Sequence, residues 1–366
     1  MAEMRNTYTP DYVIHPGEYL EEVLEARRIK KRDFAERAGL SVKSVSQIIN
    51  GKALYSPDVS LTFEKILDVK AELWMNMAES YQLFQARKKD EERLKNEYTR
   101  QWLRRFPIAD LKRLGVLPNT KRNEVLADSL LRFLGVSNPR TWEEYNLKRA
   151  VLYRKSSRFI ESDEATAVWL HLAGKEADKI KTEVFRKDVF RTVLEEIRTL
   201  TVLPAEQFFP RIRELCASAG VAFVTVPELK HTHISGTALW INQNKAMIAA
   251  SLRYKTNDHF WFTFFHEAAH ILLHGKKPIF LDAERGSAEG EQENEADSHA
   301  CEFLIPTEEY KAFVERDQFY PDHIQDFAGR IGIHPGIVVG RLQHDGLISY
   351  SWHNDLKEKC RGGDAG

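Results

Sequence analysis

Cysteine is scarce in this sequence of 366 residues: Cys216, Cys301 and Cys360 are the only three. They are far apart, odd in number and free of C-x-x-C spacing, which excludes a disulfide framework and suits a reducing compartment. Net charge is missing as well. The 53 Lys and Arg against 54 Asp and Glu leave −1, which excludes bulk, sequence-blind attraction to nucleic acid but leaves local patches open. No apolar run is long enough to span a membrane: the greasiest window, 259–273, is interrupted by His266, Glu267 and His270. The opening residues Met1 to Asn6 carry no apolar signal core, so a cytoplasmic protein without membrane contact is expected. Internal repeats and low-complexity tracts are also absent. What remains is ordinary globular composition, long enough for two or three domains.

The pattern along the chain predicts a mainly α protein with a small α+β domain. Residues 1–90 read as an all-helical domain, with Pro16 opening a helix that carries Tyr19, Leu20, Val23 and Leu24 on one side. Pro57 opens another through Phe63, Ile66 and Leu67, and Trp74, Met75 and Tyr81 extend the apolar stripe. Charge-dense residues from Gln85 to Arg105 predict an exposed helix or linker. Residues 91–200 read as a helical linker or sensing region, broken at Pro107, Pro118, Pro139 and Gly174 and anchored by Trp142, Tyr145, Tyr153 and Trp169. Residues 201–366 differ. Phe208–Ala219 is helical, and Val221–Val226, Thr237–Ile241 and Ala246–Ala250 are strands, the last two joined by a hairpin turn. A buried helix, a polar loop (282–290), a helix from Gln292 to Leu304 and further helices follow, with a polar tail from Lys357 expected to fray.

The buried helix contains His266-Glu267-Ala268-Ala269-His270, which spells H-E-x-x-H between the apolar runs Phe260–Phe265 and Ile271–Leu273. Imidazoles four residues apart share one helix face and can hold one zinc ion, while Glu267 points about a quarter-turn away, where it can serve as general base. Such polar groups among so much hydrocarbon are costly unless paired or metal-bound. A third ligand is needed. The glycine-turn pattern H-E-x-x-H-x-x-G-x-x-H fails, because its glycine position is Leu273 and its last histidine position is Lys276. His274 lies about 12 Å along the axis from His266, too far to share an ion, and is expected to bond helix carbonyls or line the cleft. In Glu291–Asp297, Glu293 falls on the stripe of Ala296, Ala300, Phe303 and Leu304, whereas Glu295 falls well off it. Glu293 is the expected third ligand, with Asp297 placed to accept a bond from a ligating histidine. Glu295 with His299 is the competing set. Strand Ala246–Ala250 could pair with an extended substrate, and His274, His323 and His344 are candidates for stabilising an oxyanion.

Residues 31–50 carry the second motif. Ala35 allows two helices to cross, Gly39 marks the turn, and Phe34, Leu40, Val45 and Ile48 supply a shared core. Ser41 can cap the second helix. Arg27, Arg28, Lys30, Lys31, Arg32, Arg37 and Lys52 make the surroundings basic. The expected DNA contacts are Arg32, Val42, Lys43, Ser44, Gln47, Asn50 and Lys52, with Gln47 suited to bidentate readout of adenine and Lys43 to guanine or phosphate. A second turn-like segment, Phe327–Leu342, lacks a basic surround and is expected to pack behind the zinc site.

Two resemblances follow from these residues. His266–His270 with His274, and Glu293 to Pro306, resemble the ImmA/IrrE family of zinc metallopeptidases over roughly residues 200–345. The sequence departs from the family at Ala269, where glycine is usual, and at His299, where phenylalanine is usual. The resemblance implies a zincin-like domain with a short β-sheet and a gluzincin-like site: His266, His270 and Glu293 on zinc, and Glu267 as base. Residues 13–85, with His15–Glu18, Ile48–Lys52 and Leu73–Leu83, resemble Cro/repressor-type domains of HigA-like antitoxins. That implies a homodimer on a double-stranded DNA operator, and autoregulation. Together they point to a transcription regulator whose peptidase domain cleaves a regulatory protein or senses a signal. The alternative is an antitoxin-like repressor without protease activity, its C-terminal half binding a cognate toxin or ligand.

Overall fold

The computed structural model describes residues 12–145, 163–232, 234–251, 256–274 and 288–360. Backbone contacts divide the chain into two units, residues 1–100 with 122–128 and residues 101–121 with 129–366. Most of the expected middle region thus packs with the C-terminal unit instead of standing as a third body.

The first unit is helical. Helix α1 (Pro16–Ala26) begins with proline at its first turn, and His15 Nδ1 accepts the Gly17 N–H at 2.9 Å. Helices α2 (Lys31–Ala38) and α3 (Val42–Ile49) are joined by Gly39, whose φ of 64° is the left-handed turn that glycine adopts without strain. Ser41 Oγ caps α3 by accepting the Ser44 N–H at 2.9 Å. Helix α4 (Pro57–Leu67) and the long α5 (Ala71–Leu94) close the core, in which Phe34, Phe63, Trp74 and Tyr55 meet edge to face or tilted. Tyr55 was not foreseen as a core residue. Met75 and Tyr81 are only half-buried.

In the second unit Trp102, Phe106 and Trp142 form an aromatic cluster, so part of the charge-dense stretch is anchored rather than exposed. Tyr145 is exposed and anchors nothing, and Tyr153 lies outside the described residues. Gly174 does not break a helix: Asp163–Lys179 runs through it unbroken, because Trp169, Ala173 and Ala177 bury a continuous face. Lys245 Nζ donates to the carbonyls of Ala177 and Ile180, each at 2.7 Å, tying this helix to the sheet.

The sheet has the order β1-β3-β2, from β1 (Val221–Val226), β2 (Gly236–Asn242) and β3 (Lys245–Ser251). Strand β3 is central, parallel to β1 and antiparallel to β2, so its backbone is paired on both sides. It therefore has no free edge for a substrate, contrary to expectation. Of the two outer strands, β1 is almost wholly buried and β2 is half-exposed along most of its length. The H-E-x-x-H helix (Asn257–Leu273) lies against β2 and β3 and also packs on the helices Ala288–Leu304 and Pro335–His344. Phe208, Phe223, Phe260, Trp261, Phe264 and Phe265 fill the core around it. Helix Ala288–Leu304 starts four residues earlier than predicted, taking in part of the expected loop; residues 282–287 lie outside the described residues. The turn-like segment is a pair of helices, Pro321–Ile331 and Pro335–His344, hinged at Gly332 and packed into this core.

The tail does not fray at Lys357. Lys357 Nζ reaches Asp258 Oδ2 at 2.6 Å and Gln343 Oε1 at 2.7 Å, Lys359 bridges to Thr256, and Cys360 is buried. A buried charge must be paired, and the tail supplies the partner of Asp258. Among the described residues no helix is long and apolar enough to cross a membrane.

Candidate metal centre

Two helices build the site. Ala296 and Ala300 are fully buried on helix Ala288–Leu304, and their small side chains allow it to approach the H-E-x-x-H helix closely. Glu293, one turn before Ala296, is carried to the two imidazoles. His266 Nε2 and His270 Nε2 lie 3.0 Å apart, and the Glu293 oxygens lie 3.4 Å and 3.5 Å from them. One ligand atom from each of the three falls within 4.8 Å of the others, a cluster that could hold a metal ion. Two imidazoles and one carboxylate are a common donor set for catalytic zinc.

Asp297 Oδ1 sits 2.8 Å from His266 Nδ1. A carboxylate only accepts, so it holds a ring proton on Nδ1 and turns Nε2 toward Glu293. Burial works against protonating His266, yet the Asp297 and Glu293 carboxylates hold its pKa up at about 10. The pKa of His270 is pushed down by burial and by the His266 charge. At this site a proton and a metal compete for the same nitrogen.

Glu267 is buried, and burial pushes its carboxyl up to about 7, aided by Glu293 and opposed by His266 and the Ala238 N–H. Strand β2 runs against it. A Cβ on Gly236 would lie 2.5 Å from Thr263 Cγ2 and 3.1 Å from Glu267 Oε1, so only glycine lets the strand pass this close. Neither Gly236 nor Ala238 was foreseen here. The sequence signal was a glycine opening a strand pattern, which marks close approach.

The competing pair does not assemble. Glu295 Oε2 is 3.2 Å from His274 Nε2, while His299 stacks on Phe303 and its buried Nδ1 meets no hydrogen-bond partner. The His274 ring bonds the His270 ring, Nδ1 to Nδ1 at 2.9 Å, rather than helix carbonyls. His323 bonds the Gln318 carbonyl and His344 pairs with Asp345, and neither joins the cluster. A further unforeseen residue is Arg198. Its guanidinium donates to the carbonyls of Phe303, Leu304 and Ile331, satisfying the free ends of two helices and fixing the one that carries Glu293.

In the first unit Arg32, Val42, Lys43, Gln47, Asn50 and Lys52 are exposed. Ser44 is half-buried and bonded to Ser41, and the Asn50 amide is engaged by Ser46. Lys31 pairs with Glu21 at 2.6 Å.

Comparison with known proteins separates the same two regions. Residues 20–74 match the helix-turn-helix family, and residues 225–342 match the peptidase M78 family, described as the IrrE N-terminal-like domain. The uncharacterized HTH-type transcriptional regulator YddM of Escherichia coli K12 is 24% identical over 73 residues, 20% of this chain and 78% of that protein. Among solved structures, an addiction module antidote protein of the HigA family from Coxiella burnetii is 28% identical, over 23% of this chain and 92% of its own, with a TM-score of 0.21. An antidote protein of a plasmid maintenance system from Nostoc punctiforme has the same identity and TM-score, over 23% of this chain and 96% of its own. Residues 20–74 are thus similar to helix-turn-helix domains, and residues 225–342 to the IrrE N-terminal-like domain of the M78 peptidase family.

Proposed function

We propose that the protein is a transcription regulator that binds operator DNA through residues 1–90 and carries a zinc-dependent endopeptidase of narrow substrate range in residues 201–366. The observation that carries the reading is the convergence of His266, His270 and Glu293 beside a buried Glu267 at a strand edge. Zinc bound by these three residues would act as a Lewis acid toward water and a scissile carbonyl. Glu267 takes the proton of the attacking water and hands it to the leaving amine. Its buried position between the two candidate histidine ligands places its carboxyl for both halves of that transfer. Strand β2 accepts an extended segment of a regulatory protein as an added strand and aligns it past Glu267. Asp297 keeps His266 in the ligating tautomer.

The DNA-binding half works by presentation. Gln47 and Lys43 stand exposed on α3 to reach base edges, and Arg32, Asn50 and Lys52 flank them toward phosphates. Two copies would read the halves of an inverted repeat. Val42 offers an apolar contact to a thymine methyl, and Ser44 contributes through the helix cap.

The test is metal content and cleavage on the full chain. About one zinc per chain is expected, lost in His266→Ala and His270→Ala and kept in Glu267→Gln, which removes cleavage of any substrate the parent cuts. A parent chain without zinc, or a double histidine variant that retains it, would falsify the metal reading.

A further inference from the structure

His270 differs from His266 in what lies behind it. His266 Nδ1 meets a carboxylate directly, Asp297 at 2.8 Å. His270 Nδ1 meets another imidazole, His274 Nδ1 at 2.9 Å, and the far nitrogen of that ring, Nε2, lies 3.2 Å from Glu295 Oε2. His274 closes the H-E-x-x-H helix, and its own N–H bonds the His270 carbonyl at 3.2 Å, so backbone and side chain are fixed at one point. The chain of contacts runs outward from a mostly buried ring, through His274, to the largely exposed Glu295.

We propose that His274 and Glu295 form a hydrogen-bonded relay that sets the ring orientation and tautomer of His270 as a metal ligand. The inference rests on the metal-site reading above. Donor and acceptor roles follow from the two ends. The Glu295 carboxylate only accepts, so His274 carries its proton on Nε2 and presents a lone pair at Nδ1. That lone pair accepts the Nδ1–H of His270. The remaining nitrogen of His270, Nε2, is left with its lone pair directed at His266 Nε2 and Glu293. Every proton in the chain has one place, and the arrangement leaves the ligating atom free. Both are positioning residues: neither has an atom in the cluster itself.

Asp297 can serve His266 alone because it shares the Glu293 side of its helix. Glu295 points off that side, and its reach to the ligands is bridged by the extra histidine one turn beyond His270. This is why Glu295, which falls off the packed stripe, still bears on the site. Partners of this kind typically change metal affinity tenfold to a hundredfold when removed.

The experiment is a double-variant cycle on the full-length protein, with zinc affinity measured by competition against a chromophoric chelator. His274→Ala should weaken zinc binding on the order of 10–100-fold, and Glu295→Ala by several-fold. His274→Asn puts a carboxamide oxygen near the position of Nδ1 and should recover most of the loss. Glu295→Ala should add nothing in the His274→Asn background, because the link between them is already cut. Imidazole NMR of the zinc-loaded parent should find His270 protonated on Nδ1, a signature that a merely structural contact would not require. Thermal unfolding of the metal-free variants should match the parent; if His274→Ala folds poorly, His274→Asn and Glu295→Ala still decide. Variants that bind zinc within twofold of the parent, effects that simply add, or no recovery in His274→Asn would overturn the relay and leave the metal reading intact. A parent that binds no zinc overturns both.

Discussion

The helix-turn-helix and the metal centre solve the problem of presenting side chains in opposite ways. The first does so within twenty consecutive residues. Gly39 makes the turn, Ser41 caps, Phe34, Ala35, Val45 and Ile48 bury one side, and what remains faces solvent. The second collects its groups from far apart. Two of the three candidate ligands come from one helix, the third from a helix beginning at Ala288, and the proposed base lies against strand β2. Its geometry then depends on residues with no chemistry of their own. Arg198 ties down helix ends from a hundred residues upstream, and Lys357 holds Asp258 from the tail. A local device can be altered one contact at a time, whereas a distributed one responds to distant changes in its supports.

Three substitutions sharpen or break that contrast. The largest effect is expected at Lys357. Lys357→Met leaves the Asp258 carboxylate buried without its counter-charge, and removing one partner of a buried pair costs about 3–5 kcal/mol. Denaturant unfolding should report that loss, and zinc affinity should fall with it because Asp258 opens the helix that carries His266 and His270. Operator binding should stay at the parent value. Loss of DNA binding in this variant would mean that the two halves are not separable.

Gln47→Ala tests the local device. Operator affinity should drop by about 1–3 kcal/mol, with base preference relaxed at one position of each half-site. Zinc content and unfolding should not change, since Gln47 is exposed and packs in no core. A uniform loss across all DNA sequences would make it a phosphate contact instead.

This division also explains what could be read from the sequence. The turn, cap and core of residues 31–50 were legible because every constraint lies within that one short stretch of sequence. His266, Glu267 and His270 were legible for the same reason, and Glu293 became so through the phase of Ala296 and Ala300 on its helix. The supports were not legible. Nothing in the spacing of Arg198 or Lys357 says which carbonyl or carboxylate they will meet, because those partners are brought near only by the completed fold. Strand β3 is a different case. Its unbroken apolar run, Ala246 to Ala250, is what a strand covered on both faces looks like, and that pattern argued against its being a substrate edge. Gly174 shows the reverse error: a helix with a strongly buried face overrides one half-buried glycine, around which nothing lies within 4 Å of a Cβ position.

The smallest effect belongs to Arg32. It stands exposed on the first turn of α2, in the basic setting of Arg27, Arg28, Lys30 and Lys31, but Lys31 already pairs with Glu21. A phosphate contact there contributes through counterion release, which is indifferent to base identity. Arg32→Ala should therefore weaken operator and unrelated DNA alike and reduce the slope of log affinity against log salt by about 1. Affinities measured across a salt series for both sequences decide it. If only operator binding weakens, Arg32 reads sequence, and the division between positioning charges on α2 and base readout on α3 fails.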